Sequence, residues 1–206
     1  MPTKAKQDAL TPELVLAELK AGNERFINDK SVKQDWASLA KTTAKAQYPK
    51  AVVLGCIDSR VPVEIVFDQF IGDVFVARVA GNIVNNDILG SMEFGTEVAG
   101  SKLVVVLGHS SCGAVMGALD GAKLGHLTDL LEKIKPAIRS AAHEGEKVMS
   151  TNDALLDRVT TENVRLNVKA ITSQSSVMAD AVKRGDLKVV GAVYDIESGV
   201  VTWLDE

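Results

Sequence analysis

Two apolar runs in this chain each lead directly into a short stretch of reactive side chains, and nothing else in the sequence limits the possible folds as tightly. Ala51-Val52-Val53-Leu54 runs into Gly55-Cys56-Ile57-Asp58-Ser59-Arg60, and Leu103-Val104-Val105-Val106-Leu107 runs into Gly108-His109-Ser110-Ser111-Cys112-Gly113. Both runs have strand character. In an open parallel sheet the residues that follow such strands stand at their carboxyl ends, where the fold leaves a crevice for a ligand. The only two cysteines of the chain lie in these stretches, with one of its three histidines. Two thiolates and one imidazole make a catalytic zinc set, because three protein ligands leave the fourth position for water or substrate.

Each residue also has a plainer reading. Cys56 alone fits a small buried hydrophobe, and His109 alone fits a hydrogen-bonded structural residue equally well. A disulfide between Cys56 and Cys112 stays open at this level. The spacing His109-x-x-Cys112 favours the metal, since it can bring both side chains to one ion where a strand turns into a helix. Asp58-x-Arg60 adds a carboxylate with a bidentate partner two residues beyond Cys56. His126 and His143 lie in polar helical context and read as surface residues. Other chemistries fail on detail: there is no C-x-x-C redox pair, no Gly-Lys-Ser/Thr of a P-loop, no G-x-G-x-x-G after a strand and no G-x-S-x-G elbow.

With 206 residues, 46% of them apolar, the chain can build one substantial core and reads as a single globular domain. Aromatic residues are only 4%, so that core is made of Ala, Val, Leu and Ile. A formal charge of -4 gives no support for a nucleic-acid partner. The N-terminus lacks the apolar segment of a signal peptide, and no run approaches a membrane span. These features predict a cytoplasmic protein with no membrane association.

Along the chain, Thr11 caps a helix that opens with Pro12, and Leu14, Leu16, Leu19, Phe26 and Ile27 supply a loose apolar face. Residues 31–50 predict a short helix and a loop ended by Pro49. The N-terminal 50 residues therefore read as a helical arm, expected to pack on a partner subunit, ahead of an α/β core over residues 51–206. In that core the sequence predicts a short helix after Pro62, a strand at 74–80, a helix at about 86–98, and a strand at 102–107. A tightly packed helix from Cys112 and a helix over 127–142, kinked or split at Pro136, follow. One long helical region spans about 151–182. A fourth strand at 187–194 and a short last strand at 200–204, at an edge and antiparallel, complete the chain. The expected fold is α/β: a central, mostly parallel sheet of four strands plus a short antiparallel edge strand, helices on both faces, and an N-terminal helical extension.

Taken together, Cys56-x-Asp58-Ser59-Arg60 and His109-x-x-Cys112-Gly113 resemble the signature of the beta-class carbonic anhydrases. Val61-Pro62, Asp68-Gln69, Gly72-Asp73-Val74-Phe75-Val76, Arg78-Val79-Ala80-Gly81-Asn82, Gly90-Ser91-Met92-Glu93-Phe94 and Gly191-Ala192-Val193-Tyr194-Asp195 follow the same family's order, so the resemblance covers residues 50–203. Departures at Thr96-Glu97-Val98-Ala99-Gly100 and Gln174-Ser175-Ser176 touch none of the metal residues. The resemblance implies a zinc enzyme that interconverts carbon dioxide and water with bicarbonate and a proton. It implies one Zn(2+) per chain on Cys56, His109 and Cys112, and an orienting Asp58 held by Arg60. It further implies substrate contacts from Gln69 (reaching across a dimer interface), Phe94 and Gly113, and a homo-oligomer, dimer or tetramer. A related hydrolase of another small heteroallene such as carbon disulfide, or a non-catalytic zinc protein, would use the same ligands.

Family members occur with Asp58's equivalent off the metal or bound to it. Members of the second kind that also hold regulatory bicarbonate resemble one another in a tryptophan three residues before the first zinc cysteine, with an arginine and a tyrosine matching Arg78 and Tyr194. Here that first position is Val53. The resemblance therefore implies the open form, with Asp58 on Arg60.

Overall fold

The computed structural model describes residues 3–204. The strands are β1 (Ala51–Gly55), β2 (Val74–Arg78), β3 (Leu103–His109), β4 (Lys188–Tyr194) and β5 (Val201–Leu204). They form one sheet in the order β2-β1-β3-β4-β5, parallel throughout except for β5, which runs antiparallel to β4 at the edge. This is the expected sheet. Its period of two is visible in the core: Ala51 and Val53 pack into one face, Val52 and Leu54 into the other. Every residue of β1 and β3 is buried, which is why these segments read as unbroken apolar runs rather than alternating ones.

The helices are α1 (Lys4–Asp8), α2 (Pro12–Ile27), α3 (Trp36–Thr43), α4 (Val63–Val66), α5 (Asn86–Glu93), α6 (Gly113–Leu119), α7 (Gly125–Glu132), α8 (Lys135–Ala141), α9 (Asp153–Gln174) and α10 (Ser176–Arg184). One face of the sheet is covered by α2 and the segment around α4, the other by α5, α9 and α10. A third cluster gathers α6, α7, α8 and the start of α9 around Cys56 and Cys112. Pro136 splits the 127–142 region as expected, standing in the first turn of α8.

Four local expectations change. The 151–182 region is two helices, because Ser175 leaves helical geometry, caps α10 by accepting from Met178 N–H, and donates its hydroxyl to Glu93 at 2.6 Å. The 86–98 helix is regular only to Glu93 and continues through Phe94–Val98 as a wider π turn. That turn presses Gly95 onto β1, where a Cβ would stand 2.6 Å from Val52 Cγ2. In α2, Val15, Leu16 and Leu19 form the buried stripe, while Leu14 and Ile27 of the expected face point to solvent. The third strand runs two residues further than expected and carries His109 as its last residue.

The N-terminal 50 residues are of two kinds. Helix α2 belongs to its own protomer's core: burying Val15, Leu16 and Leu19 contributes about 1.5–3 kcal/mol each. Asn23 ties α2 to the rest of the chain, donating to Val66 O and Gly199 O and accepting from Val201 N–H. Helix α3, by contrast, buries no residue. The outermost residues of the expected division, 1–2 and 205–206, lie outside the described residues. No helix among the described residues is long and apolar enough to cross a membrane.

Strand β1 sits between β2 and β3, so the chain leaves it toward one side and returns on the other. A crevice opens at such a reversal, outside the carboxyl ends of the strands. Cys56 follows β1 there, and His109 ends β3 beside it, since Gly55 is level with Leu107.

Candidate metal centre and active site

The three expected ligands converge. Cys56 Sγ, Cys112 Sγ and a His109 ring nitrogen lie within 4.8 Å of one another, and all three residues are buried. The sulfurs are 3.9 Å apart and both cysteines are free. That is nearly twice the disulfide bond length of about 2.05 Å, which removes the disulfide reading. It matches the edge of a tetrahedron with metal–sulfur bonds of about 2.3 Å, roughly 3.8 Å.

Local geometry explains the convergence. Ser111 adopts a left-handed conformation, φ 53°, which turns the chain sharply between His109 and Cys112 before α6 begins at Gly113. The His109 ring contacts its neighbour's carbonyl through Nδ1, 2.9 Å from Ser110 O. With the proton on Nδ1, Nε2 carries the lone pair, and this buried Nε2 has no hydrogen-bond partner. A metal-ligating histidine is typically oriented in this way. Ser110 is itself fixed, donating its N–H to Tyr194 O and accepting Ile196 N–H on its hydroxyl.

Electrostatics point the same way. The hydrogen bond from Cys112, with further help from Gly81 N–H, lowers the Cys56 thiol well below the usual thiol range against the opposing effect of burial. The same pairing and its own burial push Cys112 up. Two buried sulfurs sharing one proton can exchange it for a divalent cation. The donor set therefore fits zinc: two soft thiolates, one imidazole with a free lone pair, and room for a fourth ligand.

Asp58 stands beside this set, its Oδ2 3.9 Å from His109 Nε2. Arg60 holds it with two parallel bonds, Nε to Oδ1 at 2.9 Å and a guanidinium NH2 to Oδ2 at 2.8 Å, while Arg60 N–H also reaches Oδ1. These bonds hold the Asp58 carboxyl well below the usual carboxylate range. Gly113 opens α6 with free space where a Cβ would stand.

The other two expected substrate contacts are Gln69 and Phe94. Gln69 is buried under α2, 3% exposed, and donates its amide to Phe67 O at 2.8 Å. Its amide nitrogen lies close under Gly22 of α2, while its buried Oε1 has no hydrogen-bond partner within the described residues. The Phe94 ring lies against Phe75, centroids 6.2 Å apart, and borders a hollow with Val52. Val52 is four residues before Cys56, about 13 Å along an extended strand, so within one protomer Phe94 stands on the flank of the sheet, away from the metal set.

Sequence reasoning missed the braces. Arg78 at the end of β2 donates to Cys56 O at 2.9 Å and to Asp58 O at 2.6 Å, gripping the loop that carries both functional side chains. Gly81 donates its N–H to Cys56 Sγ at 3.3 Å. The available signal was Arg78-Val79-Ala80-Gly81-Asn82 at the end of a strand, but its partners lie far away in sequence.

Comparison with known proteins agrees with this geometry. A family profile described as carbonic anhydrase matches residues 51–201. Carbonic anhydrase 2 of Mycobacterium tuberculosis is 36% identical over 187 residues, covering 88% of this chain and 87% of that protein. Among solved structures, a beta-carbonic anhydrase of Aspergillus fumigatus superimposes with a TM-score of 0.75 at 30% identity, covering 93% of this chain and 91% of that one. A structure from Sordaria macrospora, described as one of two tetrameric beta-carbonic anhydrases, gives a TM-score of 0.69 at 26% identity, with 94% and 95% covered. A sheet reversal that gathers two thiolates, an imidazole and an Arg-held aspartate, together with matches over nearly the whole chain, leads to one conclusion: this chain belongs to the beta-carbonic anhydrase family.

Proposed function

We propose that this protein catalyses the reversible hydration of carbon dioxide to bicarbonate and a proton, with one zinc ion per chain held by Cys56, His109 and Cys112. The observation that carries this reading is the buried donor triplet within 4.8 Å, with an ionised aspartate beside it. When bound, zinc supplies Lewis acidity that brings the ionisation of water toward neutral pH. Asp58 is acceptor-only at such pH, and Arg60 fixes both of its oxygens. It can therefore take the O–H of the attacking water and aim the remaining lone pair at the substrate carbon. The Arg60 clamp favours the open arrangement, with Asp58 off the metal. Open space at Gly113 leaves room for a small linear substrate.

The same proposal includes a homo-oligomer in a cytoplasmic setting. Helix α3 buries nothing in its own protomer and exposes Trp36 at 49%, while Phe94 at 52% and Val98 at 73% present an apolar flank beside β2. The Sordaria relative is described as tetrameric. A reducing compartment suits two free ligand thiols. Metal analysis with stopped-flow hydration tests the function: one zinc per chain and a rate well above the buffer background are expected. Full zinc occupancy in a Cys56→Ala/Cys112→Ala double variant would overturn the ligand set, and zinc-loaded protein hydrating carbon dioxide only at background would overturn the activity.

A further inference from the structure

The Cys56 sulfur receives a backbone hydrogen bond from Gly81, in a turn with two left-handed residues. Gly81 has φ 71° and Asn82 φ 43°, so two successive residues are left-handed. The second is asparagine, which tolerates this region better than most residues but still at a cost that its surroundings offset. The turn's anchors come from helix α9. Asn163 Nδ2 donates to Gly81 O at 2.9 Å, and Asn167 Oδ1 accepts Val84 N–H at 2.7 Å. The two asparagines are one helical turn apart and locked to each other, with Asn167 Nδ2 donating to Asn163 O at 2.7 Å and to Asn163 Oδ1 at 3.2 Å. That second contact sets the amide of Asn163 so that its Nδ2 faces Gly81. Both side chains are more than nine-tenths buried.

Helix α9 is an accurate platform for this purpose because it lies directly on the sheet. Cβ atoms at Gly108 and Gly191 would stand 2.6 and 2.7 Å from the methyl groups of Val164. Gly108 precedes His109, so the helix that fixes the turn over Cys56 also rests against the strand that delivers the histidine. Thus one element sets the distance between the two halves of the donor set.

We infer that Asn163 and Asn167 are positioning residues for the metal centre, holding the Gly81 N–H on the Cys56 sulfur through the turn at 81–84. This rests on the metal reading of Cys56, His109 and Cys112. A hydrogen bond to a ligating sulfur draws electron density from it and fixes its direction, and outer-shell partners of this kind typically change metal affinity about 10- to 100-fold.

The test uses Asn163→Asp, which keeps the shape and the acceptor but replaces the donor facing Gly81 O with a carboxylate oxygen. Zinc affinity is measured by chelator competition, and the cobalt(II)-substituted protein is examined for its thiolate-to-cobalt charge-transfer band. The expected result is an affinity loss of about 10- to 100-fold and a band moved to longer wavelength, as an unbonded sulfur is the better electron donor. Asn152→Ala, which removes the cap of the same helix, is the control for stability alone and should leave the band where it is in the unaltered protein. Unchanged affinity and an unmoved band in folded Asn163→Asp would overturn the inference, as would an equal shift in Asn152→Ala. If Asn163→Asp does not fold, Asn167→Asp retains the acceptor for Val84 N–H, loses the donor that orients Asn163, and carries the same two readouts. Absence of zinc binding in the unaltered protein would instead overturn the metal reading itself.

Discussion

At the scale of single residues, Asp58 and Arg60 show how two charges near the surface acquire a defined role. Asp58 cannot rotate freely, because the Arg60 guanidinium engages both of its oxygens and the Arg60 backbone N–H donates to Oδ1 as well. Removing the carboxylate takes away an orienting acceptor and leaves the three ligands in place. Asp58→Ala is therefore expected to keep its zinc and lose about 100- to 1,000-fold in hydration rate, the loss usual for one preorganised hydrogen-bonding group at a reacting centre. Stopped-flow rates near those of the unaltered protein would exclude the role. Arg60→Ala should lose rate in the same direction, since Asp58 would then be free to turn toward the metal. A structure of that variant with Asp58 oxygen at a zinc-ligand distance of about 2.0–2.2 Å would show the clamp's function directly.

Two elements carry predictions of their own. Helix α2 approaches the chain after α4 so closely that a Cβ at Gly22 would stand 1.9 Å from the Phe67 carbonyl oxygen. That oxygen belongs to backbone and cannot move aside as a flexible side chain would. Gly22→Ala is expected to destabilise by about 3 kcal/mol, at the upper end for overpacking, seen as a lowered urea midpoint; a loss under about 1 kcal/mol would mean that α2 can slide. The second element is the loop between α8 and α9. Glu146 reaches Arg158 on α9, accepts His143 N–H and accepts from Asn152. The Arg158 bonds, followed by that from His143, lower the Glu146 pKa from 4.5 to about 2. The unfolded loop binds a proton at higher pH than the folded one, so this contribution is full above pH 4.5 and fades as pH falls toward 2. Amide protection at residues 143–152, corrected for the intrinsic pH dependence of exchange, should fall through that window, and Glu146→Gln should flatten the change. Equal acid sensitivity with and without Glu146 would remove the loop's dependence on it.

At the scale of the whole molecule, the described surface is uneven. Three hydrophobic clusters close the sheet on both faces, yet α3 contributes nothing to them, and Phe94 and Val98 remain exposed beside β2. If these surfaces meet another copy, light scattering should report a dimer or larger species. Amides of residues 36–43, none of which is fully buried in the single chain, should then exchange slowly in the assembled protein. A monomer with full activity at assay concentration would reject this arrangement. Metal removal should also act globally. The donor set joins the ends of β1 and β3 to α6, so zinc binds the folded chain far better than the unfolded one, and a chelator should lower the melting temperature.

The sequence by itself determined the sheet and the donor set. Runs such as Val104-Val105-Val106 have few conformations other than a doubly buried strand, and Cys56, His109 and Cys112 all lie within five residues of the end of such a run. Local signals also sufficed for the start of α2 at Thr11 and the split at Pro136. Tertiary structure decided what depends on contacts between distant segments. Gln69 packs closely under α2, whose Gly22 lies 47 positions earlier in the chain. Phe94 is carried by a π turn that packs Gly95 closely on β1. The brace on Cys56 runs from Asn163 to Gly81, 82 residues apart. A hydrogen bond over that separation leaves no periodicity in the sequence, because only the folded sheet brings its two ends together.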